Sequence, residues 1–339
     1  MRAIEVTSPG IVRVVDRPMP PAPGPDEVLV RVKTAGICGS DIHIYHGKNA
    51  FATYPRIVGH EFAGEIVTTG REVKTVQAGD RVAVDPVIAC GRCYACRLGR
   101  NNVCQAINVF GVHRDGGFCD YITVKASQVH KLPAGLSWEH AALIEPYTIA
   151  AQSAAQGRLS ANDTVLICGA GPIGLVLLEA AKIAGARVAV IDIVDSRLKR
   201  AKALGADLTV NPQSGDIVKE LMAFSGDNGA SLIFEATGNV RILELCIKEL
   251  AAIAGRIVVL GFGPEPAQVP PIELMRRELE LIGTRLNLNR FPEVIGWFEK
   301  GLVHPGEIIS HVFAVQEVGK AFDLMEKQPA DVCKIVLRF

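Results

Sequence analysis

Four cysteines in one short segment, Cys90, Cys93, Cys96 and Cys104, constrain what this chain can fold into more than any other feature. The first three follow one another with two residues between neighbours, the spacing that lets sulfur atoms of a tight turn face one tetrahedral zinc ion. Four thiolates leave no coordination position for a substrate. The segment therefore predicts a structural zinc site in a lobe over residues 88–106.

The overall composition argues against some classes of protein. With 339 residues the chain is long enough for two domains with full cores. Its 36 Lys and Arg residues equal its 36 Asp and Glu residues, so the formal net charge is zero. A protein that binds nucleic acid through phosphate contacts needs a basic surface. We therefore expect no nucleic-acid partner, although a zinc-ribbon nucleic-acid binder would also fit the four cysteines taken alone.

The N-terminus and the cysteine usage favour a cytoplasmic protein. Residues 1–6 alternate like an opening strand and carry no signal-peptide core. The apolar stretch 141–151 is interrupted by Glu145 and Pro146, which is typical of a buried segment, so no membrane partner is expected. Nine cysteines in a chain without a secretion signal favour metal ligands and buried thiols over disulfides.

The hydrophobic pattern changes character along the chain and predicts two kinds of domain. Before about residue 145, short apolar or alternating runs are separated by Gly, Pro and Asp, which is typical of a barrel or sandwich. These predicted strands are 27–33, 57–67, 80–84 and 119–124. From 164 onward, buried strands alternate with helices, which predicts a parallel sheet covered on both faces. Its predicted strands are 164–168, 187–192, 208–210, 232–235, 256–260 and 279–282. A last strand over 332–339 would return to the first domain and make the second domain an insertion.

A glycine-rich loop lies between the first strand and the first helix of that parallel sheet. It has the pattern Gly-x-Gly-x-x-Gly, and an aspartate ends the following strand 18 residues after the third glycine. The three glycines permit a tight turn, let the backbone approach a pyrophosphate, and let helix and strand pack closely. The aspartate would accept hydrogen bonds from an adenosine ribose and repel a ribose phosphate, so NAD is favoured over NADP. The candidate cofactor-binding residues are Gly169, Gly171, Pro172, Ile173, Gly174, Asp192 and Arg197.

Four scattered residues, Cys38, His60, Glu61 and Glu145, are candidates for a second, open metal site. Cys38 offers a thiolate and His60 an imidazole, both of which are zinc ligands. A buried carboxylate without a partner is unfavourable, so Glu145 either forms an ion pair or contacts a metal. From the residues alone the second site stays open, because Cys38 would also fit a small core position and His60 a hydrogen-bonded loop.

Motifs in series then identify a family that the chain resembles. They are Cys38-Gly-Ser-Asp, Gly59-His-Glu-Phe-Ala-Gly64 continuing to Gly70, the four-cysteine lobe and Gly169-Ala-Gly-Pro-Ile-Gly174. In this order they resemble the zinc-containing medium-chain dehydrogenases from end to end of the chain. The resemblance implies an α/β plus β fold, in which a GroES-like β-rich catalytic domain over 1–148 and 286–339 holds an inserted Rossmann domain, a doubly wound parallel sheet, over 149–285. It also implies an active site in the cleft between the two domains.

The resemblance assigns roles to the candidate metal ligands. Cys38 and His60 would bind a catalytic zinc, and Glu145 stands where alcohol dehydrogenases of the superfamily carry a third cysteine ligand. A glutamate at this position resembles the branch that includes sorbitol and threonine dehydrogenases, in which Glu61 can also reach the metal. Which carboxylate binds directly and which holds a water is left open. Asp41 would hydrogen-bond His60 and fix its ring.

The family reaction would transfer a hydride from a secondary alcohol to NAD, with one catalytic and one structural Zn²⁺ in each subunit. By resemblance, Ser40 would accept the hydroxyl proton and pass it through the nicotinamide ribose to His43. The alternatives are a helix cap for Ser40 and an exposed loop position for His43.

The substrate class is expected from local motifs around 111–118, 144–147 and 285–287. They resemble dehydrogenases of the starvation-sensing-protein type and those that act on hexonates such as galactonate, which implies a polyol or sugar acid. A hexonate carboxylate needs a cationic partner, and a bidentate arginine is the strongest. Candidate substrate residues are His113, Arg114, Arg285 and Arg290, although a lone arginine is more often a solvated surface group.

Two other functions fit the same motifs. One is a threonine-type amino-alcohol dehydrogenase, and the other is a non-catalytic NAD-binding sensor of the same fold. By analogy with the family, we also expect a homo-oligomer, either a dimer or a tetramer.

Overall fold

The computed structural model of the chain describes residues 1–261, 263 and 265–339. These residues form two compact units. The first contains Met1–Glu145, Phe291–Gly301 and Ile309–Phe339, and the second contains Pro146–Arg290 and Leu302–Ile308. No helix within the described residues is long and apolar enough to cross a membrane.

The strands and helices are numbered here in chain order. The strands are β1 (Arg2–Ser8), β2 (Ile11–Asp16), β3 (Glu27–Ile37), β4 (Arg56–Ile57), β5 (Glu61–Thr69), β6 (Arg81–Val84), β7 (Val87–Ile88), β8 (Asn108–Val109), β9 (Tyr121–Lys125), β10 (Val129–Lys131), β11 (Thr164–Cys168), β12 (Arg187–Ile191), β13 (Leu208–Val210), β14 (Ala230–Glu235), β15 (Ala251–Val259), β16 (Glu280–Gly283), β17 (Ile309–Ala314) and β18 (Lys334–Arg338). The helices are α1 (Gly39–Tyr45), α2 (Tyr94–Arg97), α3 (Trp138–Ala141), α4 (Ile144–Gln156), α5 (Pro172–Ile183), α6 (Asp195–Ala203), α7 (Ile217–Ser225), α8 (Val240–Leu245), α9 (Pro271–Arg277), α10 (Phe291–Glu299), α11 (Pro305–Ile308) and α12 (Val318–Lys327).

The first unit is built mainly from antiparallel strands around one apolar core. Its larger sheet runs β10-β6-β5-β3-β18-β17, and β9 also pairs with β3. Strand β18 pairs antiparallel with β3 and sets Ile335 opposite Ile37, so the expected return of the last strand to the first part of the chain is confirmed. Core side chains such as Phe62 and Phe118 are fully or almost fully buried between these strands and the hairpin of β1 and β2.

The second unit contains the predicted parallel sheet. Within the described part of the chain its strands run β13-β12-β11-β14-β15-β16, and every neighbouring pair is parallel. From β11 the chain adds β12 and β13 on one side, and then β14, β15 and β16 on the other. The order therefore reverses between β11 and β14, which is the point where doubly wound sheets bind their ligands.

One predicted strand, 57–67, is wrong in the structure. It is interrupted at 58–60, between β4 and β5, because Gly59 adopts a positive φ of 92° that ends the extended conformation. Phe118 packs so closely on Gly59 that a Cβ atom at this position would overlap its ring. The interruption leaves His60 in the loop directly before β5.

Candidate active site and structural metal site

The four cysteines of the predicted lobe come together in the first unit. The sulfur atoms of Cys90, Cys93, Cys96 and Cys104 all lie within 4.8 Å of one another, and none of them forms a disulfide. The measured Sγ–Sγ distances from Cys93 are 3.5 Å to Cys96 and 3.8 Å to Cys104. Tetrahedral Zn–S bonds of about 2.3 Å require sulfur separations of roughly 3.8 Å, so the cluster fits a zinc ion closed off by four ligands.

The backbone of the lobe favours negative sulfur. The N–H groups of Cys96 and Gln105 lower the pKa of Cys93 to about 6. The backbone N–H of Cys90 lies 3.3 Å from the Cys104 sulfur and donates to it. Because zinc binds the thiolate form of cysteine, these contacts suit the site to the metal without any group from outside the lobe.

A second cluster lies at the end of two paired strands of the same unit. Three ligand atoms lie within 4.8 Å of one another: the sulfur of Cys38, an imidazole nitrogen of His60 and a carboxylate oxygen of Glu61. Strands β3 and β5 pair antiparallel with Gly36 opposite Glu61, so the end of β3 meets the beginning of β5. Cys38 follows β3 directly and His60 precedes β5 directly, which is why residues far apart in sequence become neighbours.

Asp41 fixes the backbone beneath this cluster. Its buried carboxylate accepts hydrogen bonds from the backbone N–H of Cys38 at 2.9 Å and of Gly59 at 3.1 Å. The distance from its carboxylate to Nδ1 of His60 is 3.8 Å. This is too long for the expected hydrogen bond, but it lies within ion-pair range. Burial alone lowers the pKa of His60, but the negative charges of Cys38 and Asp41 outweigh it and hold this pKa well above its usual value. The cluster therefore attracts positive charge.

A lysine that the sequence analysis missed completes the surroundings of Glu61. The Lys334 ammonium donates to both Glu61 oxygens at 2.8 Å and to the carbonyl oxygen of Ile37 at 3.2 Å. Both charged side chains are buried. The signal in the sequence was a lysine just before the apolar run of the last strand, where an unpaired charge would be unfavourable.

Glu145, the fourth ligand candidate, is the second residue of α4 and is 5% exposed. Burial raises the pKa of its carboxyl to about 8, while the nearby charges of His60 and Lys334 oppose that rise. A carboxyl in this position gains its negative form most readily beside a cation. The group within 4.8 Å contains Cys38, His60 and Glu61 but not Glu145, so the structure does not bring all four candidates together. Its thiolate, imidazole and carboxylate fit a catalytic zinc.

The predicted proton-transfer residues both lie on α1. Oγ of Ser40 is 3.5 Å from Nε2 of His60. Ser40 is the second residue of this helix, and Cys38 occupies the position of its N-cap, so the alternative of a capping serine is wrong. His43 lies one turn further along and is exposed.

The predicted substrate residues lie in different parts of the chain. In the first unit, Nδ1 of His113 accepts from the backbone N–H of Val109 at 3.1 Å, and its ring lies 5.5 Å from that of Phe51. Arg114 is exposed, with its guanidinium 5.5 Å from the Phe110 ring. Arg285 is an exposed residue of the second unit, and Arg290, also in that unit, donates to the Gln152 side chain at 3.2 Å.

The glycine loop of the second unit has the shape that a dinucleotide requires. Gly169 follows β11 with a φ of 100°, and Gly171 is the N-cap residue of the twelve-residue helix α5. A Cβ at Gly171 would point into open space, whereas one at Gly174 would overlap the carbonyl oxygen of Gly169. The loop thus offers free backbone N–H groups at a helix N-terminus, a cradle for a pyrophosphate.

Asp192 lies beside this loop. One of its oxygens accepts from the backbone N–H of Ala170 at 2.8 Å, and the other accepts from that of Val194 at 2.9 Å. The guanidinium of Arg197 is 3.9 Å from the same carboxylate. Asp192 therefore connects the end of β12 with the glycine loop, a structural role that the sequence analysis did not anticipate.

Two family models match the chain, the alcohol dehydrogenase GroES-like domain over residues 24–134 and the zinc-binding dehydrogenase over residues 172–300. Starvation-sensing protein RspB of Escherichia coli K12 is 43% identical over 343 residues, which cover 100% of this chain and 99% of that protein. The chain belongs to the zinc-type medium-chain alcohol dehydrogenase family. The predicted family is confirmed, and with it the oxidoreductase class.

Other members of this family share its architecture. A crystal structure of RspB from E. coli CFT073 complexed with NADH is 42% identical, has a TM-score of 0.94 and covers 100% of this chain and 99% of its own. L-galactonate-5-dehydrogenase of E. coli K12 is 37% identical, with 80% of this chain and 79% of that protein covered. L-threonine 3-dehydrogenase of Pyrococcus horikoshii is 41% identical, with 78% of this chain and 76% of that protein covered. The GroES-like and Rossmann fold class is confirmed.

Proposed function

We propose that this protein is an NAD-dependent zinc dehydrogenase that oxidises a secondary alcohol of a polyol or sugar acid. The observation that carries the proposal is the convergence of Cys38, His60 and Glu61 within 4.8 Å in the GroES-like part of the chain. We also propose that the catalytic domain spans residues 1–148 and 286–339 and that the Rossmann domain spans residues 149–285.

Cys38, His60 and Glu145 are the proposed ligands of the catalytic zinc. Both oxygens of Glu61 are engaged by Lys334, so Glu61 is proposed to balance charge beside the site and Glu145 to complete the donor set. A zinc ion held by these residues would supply Lewis-acid stabilisation of the substrate oxygen, and a bound NAD would supply the hydride acceptor. The four-cysteine lobe would hold the second, structural zinc.

Ser40 and His43 are proposed to carry the proton away from the substrate hydroxyl. The Ser40 hydroxyl faces His60, one of the proposed ligands, at 3.5 Å, and so lies where a proton leaving that site can be accepted. His43 is exposed on the same helix and can exchange the proton with water.

NAD is the proposed cofactor, because Asp192 presents a carboxylate beside the glycine loop. A ribose phosphate at that position would face this negative charge, whereas ribose hydroxyls can donate to it. The crystal structure of the relative complexed with NADH supports the same choice. Arg197, next to Asp192, is proposed to contact the ribose as well.

A sugar acid is favoured as substrate because a relative acts on L-galactonate and because cationic side chains are available. Arg114 is exposed and is proposed, with His113 of the same unit, to meet the substrate carboxylate or hydroxyl groups. Arg285, exposed in the second unit, is the alternative candidate. The threonine dehydrogenase relative supports an amino alcohol as the second candidate. A sensor without catalysis would have lost zinc ligands, but Cys38, His60, Glu61 and Glu145 are all present.

The proposed cellular setting follows the family analogy. We propose a homodimer or homotetramer in the cytoplasm that acts on a small-molecule substrate. The edge strand β16 supports an assembly, because Leu281 on it is 38% exposed and the strand has an unpaired side within the described sheet.

The test is formation of NADH by zinc-loaded protein with a panel of neutral polyols, the matched hexonates and threonine, each repeated with NADP. The proposal predicts the highest kcat/KM for a polyol or hexonate with NAD. Turnover of threonine alone would establish the second candidate, and NAD binding without turnover of any alcohol would overturn the proposed activity.

A further inference from the structure

A buried carboxylate in the second unit takes no part in the chemistry described so far. Glu235 is the last residue of β14, and it is 1% exposed. A buried carboxylate requires hydrogen-bond partners, and those of the Glu235 side chain among residues 1–261, 263 and 265–339 lie in the turn that follows it. Its Oε1 accepts from the backbone N–H of Thr237 at 2.8 Å and of Gly238 at 3.2 Å, and it also accepts from the Thr237 hydroxyl. The side chain thus ties down the turn that follows its own strand.

The backbone of Glu235 holds a second turn. Its carbonyl oxygen accepts from the N–H groups of Leu260 at 2.9 Å and Gly261 at 3.0 Å, directly after β15. A Cβ at Gly261 would overlap the backbone N of Gly238. The turns after β14 and β15 are therefore packed against each other around this one residue.

The same residue lies next to the glycine loop. In the parallel pairing of β11 and β14, Glu235 is the partner of Cys168, the residue before Gly169. The N–H of Ala236 donates to the Cys168 carbonyl at 3.0 Å. A Cβ at Gly169 would lie only 3.2 Å from the Thr237 methyl carbon, so Thr237 borders the loop at close range.

This position is the point where the strand order of the sheet reverses. A dinucleotide crosses such a crevice at the carboxyl ends of the strands, with its pyrophosphate at the loop after the first strand. Asp192 and Arg197, at and after the end of β12, lie on the side of β11 proposed to hold the adenosine ribose. The other half of the dinucleotide then lies on the side of β14 and β15, where Glu235 fixes both turns.

We propose that Glu235 is a positioning residue for the nicotinamide half of the cofactor. It acts through the turns 235–238 and 259–261, which it holds in register with the glycine loop. The inference rests on the proposed function, because it requires that NAD binds at this loop. It concerns one half of the dinucleotide only, which makes it separable from a general effect of Glu235 on the stability of the domain.

The experiment measures Kd for NAD and for ADP by calorimetry on the full-length, zinc-loaded protein. The Kd for ADP depends on the contacts of the adenine half and the glycine loop, whereas the Kd for NAD depends on the contacts of both halves of the dinucleotide. Glu235→Ala is expected to raise Kd for NAD about tenfold and Kd for ADP by less than about twofold, since a charged acceptor of several hydrogen bonds is lost on one side only. Glu235→Gln, which keeps one acceptor oxygen, is expected to recover part of the NAD affinity.

Asp163→Asn provides the matched control. Asp163 is also a buried carboxylate of this unit, paired with Arg256 and accepting from the Ser231 hydroxyl at 2.7 Å. It precedes β11, however, and so lies at the amino ends of the strands, opposite to the end where Glu235 lies. Its loss is expected to lower Tm and leave the ratio of the two Kd values unchanged. If Glu235→Ala does not fold, Thr237→Val removes the hydroxyl contacts with Glu235 and with the Asn239 N–H, and is expected to shift only the Kd for NAD.

An equal rise of both Kd values in Glu235→Ala, or an unchanged Kd for NAD, would overturn the inference. Failure of the wild-type protein to bind NAD is a different result. It would overturn the proposed function first and the role of Glu235 with it.

Discussion

Lys334 holds both carboxylate oxygens of Glu61 at 2.8 Å, and the two side chains are buried together beside the proposed zinc ligands. Burial alone lowers the pKa of Lys334, but Glu61 and Cys38 raise it above its usual value, so the lysine carries a positive charge. The pair keeps Glu61 close to Cys38 and His60 while balancing its charge. The number of free negative charges facing a metal is thereby reduced.

Lys334→Met is expected to lower the free energy of unfolding by about 3–5 kcal/mol, because it leaves a buried carboxylate without its partner. Denaturant titration of zinc-loaded protein measures this. Lys320→Met is the control, since its pair with Glu317 is exposed and should contribute far less than the buried pair. Adding Glu61→Gln to Lys334→Met should restore part of the loss. Equal stability of the two lysine variants would contradict a strong buried pair.

Glu145→Gln is expected to lose the catalytic zinc, whereas Glu61→Gln is expected to keep it. The loss of zinc affinity in Glu145→Gln should exceed the roughly 10- to 100-fold that removal of an outer partner of a metal ligand causes. Zinc per chain after dialysis, together with kcat, distinguishes the two carboxylates. The ligand assignment fails if Glu61→Gln is the variant that loses metal and turnover.

Cys93→Ser should affect stability far more than chemistry. Loss of the structural zinc is expected to lower the free energy of unfolding by about 4 kcal/mol. This is the stabilisation that a ligand gives when it is present at about 1,000 times its Kd. Cys119→Ser is the control, because Cys119 is a buried thiol outside both clusters and its loss should leave the metal content unchanged. Metal analysis and thermal unfolding test both variants, and a Cys93→Ser protein with full zinc content would refute the structural site.

Asp192→Ala is expected to shift the preference for NAD over NADP by about tenfold toward NADP, or about 1.4 kcal/mol. Since Asp192 also holds the N–H of Ala170, KM should rise for both cofactors. Asp195→Ala is the control, because Asp195 is an exposed neighbour that accepts from Asn211 at 2.6 Å. The ratio of kcat/KM values for the two cofactors is the measurement, and a ratio equal in both variants would count against the ribose role.

His130 should make stability depend on pH. Burial lowers its pKa to about 4, and its ring stacks on that of Phe291 at 4.7 Å. In the unfolded chain the imidazole of this residue has its ordinary pKa of about 6.5. Its contribution to the free energy of unfolding is therefore complete above that pH and is lost as the pH falls toward 4. The loss should amount to about 3 kcal/mol. Denaturant titrations at several pH values in this interval give the free energy of unfolding, which should change less with pH in His130→Gln than in the wild type. An identical pH dependence of the two proteins would contradict the buried neutral imidazole.

Local spacing was sufficient to predict the parts of the molecule that depend on neighbours in sequence. The four cysteines lie in one short segment, and the strand, glycine loop and helix from 164 onward follow one another without interruption. Strand 164–168 is found with these bounds, and the helix after the loop begins at Pro172 as expected. The hydrophobic period and turn residues determine such elements directly.

The parts that were missed depend on long-range pairing or on backbone geometry. Lys334 meets Glu61 only because β18 and β5 both pair with β3, which the pattern of either strand does not encode. The break before His60 requires the positive φ of Gly59 and the packing of Phe118. Asp41 was expected to hydrogen-bond His60, but backbone N–H groups take its oxygens.

Catalysis at a zinc held by Cys38 is tested by measuring zinc content, NAD binding and alcohol-dependent NADH formation in one preparation each of wild-type protein and Cys38→Ser. We expect two zinc ions per chain and turnover of a polyol or hexonate for the wild type. We expect one zinc ion, unchanged NAD affinity and no turnover for Cys38→Ser. A Cys38→Ser protein that still oxidises the alcohol at the wild-type rate would contradict catalysis at a zinc held by Cys38.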